Sequence, residues 1–141
     1  MAYPPSQEEG RIVPRVLVID DDNGITTMLK AALSMEGYEV EVQPDGLAGL
    51  ARLQTPPPPD VVLLDLAMPR LGGAGVIAAM ARDPLLRDLP VVVMTAAGTP
   101  DLPPDPGGCR ALLRKPFELG ALLEILTIVT GPKHGTVRRN P

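Results

Sequence analysis

Five side chains in this sequence have the types and positions to handle a charged, oxygen-rich ligand. Asp20 and Asp21 follow the apolar run 16–19, Asp65 follows 61–64, Thr95 closes the run 91–94, and Lys115 comes directly after 111–114. Adjacent carboxylates repel one another and resist full ionisation together. Clustered carboxylates without individual basic partners usually hold a divalent cation. An all-oxygen ligand set, with no histidine or cysteine, favours Mg²⁺ over zinc or copper. One aspartate in such a cluster can act as nucleophile towards phosphorus and form an acyl phosphate. The transferred group spreads its charge over three equatorial oxygens, and each needs a partner. Mg²⁺ would serve one, the Lys115 ammonium a second, and the Thr95 hydroxyl with a nearby backbone N–H the third. The third aspartate of the run, Asp22, reads instead as a helix N-cap.

The elements that must position these residues follow from the hydrophobic pattern. Short apolar, β-branched runs at 15–20, 38–42, 61–66, 91–95 and 111–114 alternate with amphipathic segments. That alternation predicts a parallel sheet covered by helices. The first helix is expected to bury Ile25, Met28, Leu29, Ala32 and Leu33 and to end at Gly37. Further helices are expected over 47–53, 73–81 and 118–129. The segment 99–108 contains Pro100, Pro103, Pro104 and Pro106, which predicts a loop where a helix would otherwise fall. In open parallel sheets, sites lie beyond the carboxyl ends of the strands. All five side chains fall at that edge, and Asp65, on the central strand between the acid pair and Thr95, is the best placed nucleophile.

The totals narrow the class of protein. A chain of 141 residues, 45% hydrophobic, suits one domain over 14–130 with short flexible segments at 1–13 and 131–141. A net charge of −4 with mixed signs gives no nucleic-acid footprint. The single cysteine, Cys109, fits a reducing, cytoplasmic setting. The start MAYPPSQEEGR has no signal-peptide core, and no run is long enough to span a bilayer. Enzymatic and DNA-binding output domains would not fit beside the one domain, so output is expected through protein contacts.

The runs VLVIDDD, LLDLAMPRLGG, VVVMTA and RKPF, in that order and spacing, resemble the receiver domain of two-component response regulators. The resemblance implies a flavodoxin-like (βα)5 sandwich with strand order 2-1-3-4-5, from which this chain is expected to depart where the Pro-rich loop replaces most of the fourth helix. It implies that Asp65 is the phosphoacceptor, that Asp20, Asp21, Asp65 and the carbonyl of Ala67 hold Mg²⁺, and that Thr95 and Lys115 engage the phosphoryl group. Met68, Pro69 and Gly73 match the turn after the acceptor, and the Lys115–Pro116 bond is often cis in this family. The implied partner is a histidine kinase or histidine phosphotransfer protein, since His134 is the one histidine of the chain. A downstream protein target is implied as well, and the chain is a signalling module rather than an enzyme.

Several positions depart from the family. Leu112 stands where a tyrosine or phenylalanine usually swings inward. Ala67 and Ala97 leave the positions beyond Asp65 and Thr95 without functional side chains. Ile125, Ile128 and Val129 broaden the apolar stripe of the last helix beyond one contact surface, which suits either cover by the Pro-rich segment or a surface for a partner or a homodimer. Two other functions are compatible with parts of the pattern. One is a receiver-like scaffold that is never phosphorylated. The other is an aspartate-nucleophile phosphatase of the haloacid dehalogenase type, against which stand Gly24 in its motif and the absence of a late acidic pair.

Overall fold

The computed structural model describes residues 13–68, 71–96 and 109–130. Five parallel strands form one sheet: β1 (Arg15–Ile19), β2 (Glu39–Gln43), β3 (Val61–Asp65), β4 (Val91–Thr95) and β5 (Cys109–Arg114), in the order 2-1-3-4-5. Four helices lie among the described residues: α1 (Asn23–Met35), α2 (Gly46–Leu53), α3 (Gly73–Ala81) and α4 (Leu119–Thr130). The expected sheet is therefore observed. The strand ends differ by one residue at β1, β2 and β3, and β5 starts two residues earlier than its apolar run. The expected loop over 99–108, residues 1–12 of the expected flexible segment 1–13, the expected flexible segment 131–141, and the side chain of Cys109 lie outside the described residues.

Central strands β3 and β4 are buried along their whole length, as strands covered on both faces must be. Their alternate residues feed two cores. Val16, Val18, Leu63 and Met94 meet Leu29, Leu33, Leu122 and Leu126 on one face; Leu17, Ile19, Leu64 and Val93 meet Leu53, Val76 and Met80 on the other.

α1 begins where it was expected. The Asp22 carboxylate accepts from Ile25 N–H at 3.1 Å, satisfying one of the free donors of a first turn. It ends through Gly37, at φ 97°, which a side chain would strain. Tyr38 N–H donates to the Leu33 carbonyl at 3.0 Å and Gly37 N–H to that of Ser34 at 3.1 Å, a Schellman closure.

One core assignment needs correction. Met28 is 48% exposed, and the buried residues of α1 are Thr26, Leu29 and Leu33. The Thr26 hydroxyl donates to the Asn23 carbonyl at 3.2 Å. With its polar group satisfied, threonine can turn inward, which rotates the core face away from Met28.

On α4, Ile125 and Val129 pack partly against the core, whereas Ile128 is 68% exposed. Its broad apolar stripe is thus mostly core. Leu112 is 46% exposed on β5, opposite Val93 in the ladder.

Candidate functional site

Ladder bonds at the carboxyl edge hold the backbone beside several of the predicted site residues. Asp20 N–H donates to the Gln43 carbonyl at 3.2 Å, Leu66 N–H to that of Met94 at 2.9 Å, and Lys115 N–H to that of Thr95 at 2.7 Å. Residues distant in sequence are thereby brought side by side. Lys115 Nζ donates to Asp20 Oδ2 at 3.0 Å and to Asp65 Oδ1 at 3.3 Å, across 95 and 50 positions of sequence. The other oxygen of Asp20, Oδ1, accepts from Asp22 N–H at 3.0 Å. Asp20 is therefore both an ion-pair partner and a clasp on the turn into α1.

Asp20, Asp21 and Asp65 offer carboxylate oxygens that all lie within 4.8 Å of one another. Asp20 and Asp65 are buried and Asp21 is exposed. Burial pushes the Asp65 carboxyl above its usual value, and the neighbouring Asp20 charge adds to the rise. Together they outweigh the opposing pull of Lys115. Burial alone would push the Lys115 ammonium down, but its hydrogen bond to Asp20 and the charges of Asp20 and Asp65 raise it instead. Of the three clustered carboxylates, two thus contact one ammonium, and the cluster offers only oxygen atoms as ligands.

Thr95 is buried at the same edge, with its hydroxyl donating to the Ala96 carbonyl at 3.3 Å. Ala67 is exposed in the connection after β3. Gly73 N–H closes that connection on the Leu66 carbonyl at 2.9 Å. The Lys115–Pro116 peptide bond is cis. The site has a further component that the sequence pattern did not single out. An open apolar groove of about 410 Å³, lined by Ile25, Met28, Ala96, Lys115, Pro116 and Phe117, runs beside the lysine. Its only hint in the sequence was the apolar Pro116–Phe117 pair following Lys115.

The model of the response regulator receiver domain matches residues 16–127. This chain belongs to that family. Among curated relatives, it is 35% identical over 113 residues to the DNA-binding dual master transcriptional regulator RpaA of Synechocystis, covering 79% of this chain and 46% of that protein. It is 37% identical over 119 residues to the transcriptional regulatory protein PrrA of Mycobacterium tuberculosis, covering 82% and 49%. The chain thus spans about half the length of the curated relatives it matches. Solved receivers share the fold. Chemotaxis protein CheY4 of Vibrio cholerae superposes with a TM-score of 0.73 at 30% identity, covering 83% of this chain and 98% of that one. A CheY-like receiver domain protein of Methanospirillum hungatei gives 0.75 at 28% identity, covering 90% and 98%. This receiver domain is a module of two-component signalling, and among its described residues no helix is long and apolar enough to cross a membrane.

Proposed function

We propose that this receiver domain accepts a phosphoryl group on Asp65, with Mg²⁺ bound, from a phosphohistidine on a kinase or phosphotransfer partner. The observation that carries this reading is the bridge from Lys115 Nζ to both Asp20 and Asp65. It brings Asp65, the neighbouring acid Asp20 and a held ammonium together at one strand edge, which supports Asp65 as the nucleophile. A hard divalent ion suits an all-oxygen cluster that one ammonium leaves negative. Asp20, Asp21, Asp65 and the carbonyl of Ala67 would hold Mg²⁺, which when bound offsets the charge that would otherwise repel an incoming phosphoryl group.

An Asp65 oxygen attacks phosphorus as the P–N bond to the donor imidazole breaks, and the bonding pair leaves with that nitrogen. The product is an acyl phosphate on Asp65. Lys115, free to exchange one carboxylate for a phosphoryl oxygen, pairs with the new charge. The Thr95 hydroxyl, now on Ala96, turns towards another phosphoryl oxygen. These two movements shift the populations of surface conformations that a downstream protein reads. A donor must approach along the open edge, where the groove beside Lys115 offers it apolar surface.

The net charge of −4 supports protein rather than nucleic-acid contact by this domain, and the single cysteine suits a cytoplasmic setting. A homodimer through α4 would rest chiefly on Ile128. The unphosphorylated scaffold keeps one supporting observation, the aliphatic and exposed Leu112.

Amide NMR with Mg²⁺, then with added beryllofluoride as a phosphoryl mimic, separates the two readings. Mg²⁺ is expected to shift residues 20–22 and 65–68 saturably. Beryllofluoride should then shift Thr95, Ala96 and Lys115, and Asp65→Asn should abolish that second response. A wild-type protein that binds Mg²⁺ but ignores beryllofluoride is the scaffold.

A further inference from the structure

α3 starts directly against the strand end that carries Asp65. A Cβ on Gly73, its first residue, would stand 2.7 Å from the Asp65 carbonyl oxygen and 2.7 Å from Leu66 Cα, with the Asp65 carbonyl carbon at 3.3 Å. Every atom it would meet is backbone, so no side-chain rotation can relieve the overlap. Gly73 lies in the helix, so what position 73 lacks is space for a side chain, not a left-handed conformation. Gly72, one residue earlier, differs. A Cβ there would make ordinary contacts, 3.4 Å from the Leu66 carbonyl oxygen and 3.7 Å from that of Met68.

Either α3 or the strand end must give way to a side chain at position 73. α3 cannot withdraw freely. Gly73 N–H donates to the Leu66 carbonyl at 2.9 Å, so the helix is tied to a residue it abuts. Val76, Ile77 and Met80 are buried in one core with Leu64 of β3. The strand end is less constrained. Pairing of β3 with β1 ends at Leu64, opposite Ile19. Asp65 and Leu66 are held from the β4 side, by the pairing of Asp65 with Met94 and the bond from Leu66 N–H to the Met94 carbonyl. A side chain at position 73 would consequently displace Asp65. The Asp65 carboxylate meets Lys115 Nζ at 3.3 Å, the longer of the two bonds that this ammonium makes to Asp20 and Asp65.

We infer that Gly73 is a positioning residue for Asp65. By carrying no side chain, it lets α3 press on the Asp65–Leu66 backbone and sets where the carboxylate stands relative to Lys115 and Asp20. The inference rests on the assignment of Asp65 as phosphoacceptor and deepens it. Misplacing a reacting group by about 1 Å can cost about a hundredfold in rate, so a smaller displacement of Asp65 should slow the transfer measurably.

Phosphorylation by acetyl phosphate at saturating Mg²⁺, followed by intact mass, tests this in Gly73→Ala, with Gly72→Ala and Ile77→Val as controls. Gly73→Ala is expected to react about tenfold more slowly than wild type. Gly72→Ala makes the same chemical change without the backbone overlap, and Ile77→Val loosens α3 in the core. Both should keep the wild-type rate whatever they do to the melting temperature. In amide spectra, Gly73→Ala should shift Asp65, Leu66 and Lys115, which Ile77→Val should leave in place. If Gly73→Ala does not fold, the wild type decides. Because coupling is reciprocal, occupying Asp65 with beryllofluoride should slow hydrogen exchange at the Gly73 amide relative to that of Ile77. A folded Gly73→Ala with the wild-type rate, an equal loss in either control, or unchanged Gly73 exchange would each overturn the inference. Wild-type protein that takes no phosphoryl group on Asp65 would overturn the assignment beneath it as well.

Discussion

Lys115→Met is expected to cost about 3–5 kcal/mol of stability at neutral pH, the usual result of removing one partner from a buried ion pair. The ammonium contacts Asp20 and Asp65, whose side chains are 0% and 7% exposed, and is itself 18% exposed. Without it, the burial of both acids and their mutual repulsion remain uncompensated. Asp65, already raised by burial and by Asp20, would rise further. The folded variant then binds a proton that the unfolded chain does not, so stability increases as pH falls through the raised value. Urea unfolding at pH 5 and pH 7.5 should show a deficit that shrinks on acidification. A deficit of the same size at both values would mean that Lys115 contributes by packing alone. The wild type carries the complementary signature in alkali. Because Lys115 is raised from 10.5, its contribution is complete below that value and is lost as pH climbs through the higher folded one.

Asp65→Asn is expected to act in the opposite direction on stability. Burial and Asp20 hold the Asp65 carboxyl above its usual value of 3.8, so the charged form is disfavoured in the fold. Between that value and the folded one, the native state binds more protons than the unfolded chain. Wild-type stability therefore falls as pH rises through this window, and the penalty persists above it. The amide removes that penalty, while Lys115 keeps its shorter bond, 3.0 Å to Asp20. The variant should accordingly have a higher urea midpoint than wild type at pH 7 and a similar one near pH 4. Added Mg²⁺ should narrow the gap by stabilising the wild type. A variant less stable than wild type at pH 7 would show that the Lys115 contact outweighs burial at Asp65. Such a gain would be the mark of a group kept for its reactivity at a cost to the fold.

The sheet was legible because its strands are nearly pure apolar runs. Val61–Asp65 and Val91–Thr95 have no other place than the centre of a parallel sheet, and both are buried throughout. The strand-end rule then located Asp20, Asp65, Thr95 and Lys115 at one edge without any contact being known. Asp22 announced its capping role by preceding a periodic segment. Periodicity failed at Met28, because it counts apolar residues and does not foresee that Thr26 can satisfy its hydroxyl locally and take the buried place. The double use of Asp20, one oxygen for Lys115 and the other for Asp22 N–H, appears only when the turn into α1 is seen in three dimensions. Sequence pattern thus locates the clustered polar groups, and packing decides how they are held.

The phosphoacceptor itself is tested most directly by intact mass after incubation with acetyl phosphate, with and without Mg²⁺, followed by peptide mapping of the adduct. The expected result is a single phosphoryl group, dependent on Mg²⁺, mapping to Asp65 and absent from Asp65→Asn. No adduct on the wild type, or an adduct that survives in Asp65→Asn, would contradict the assignment of Asp65 as the acceptor.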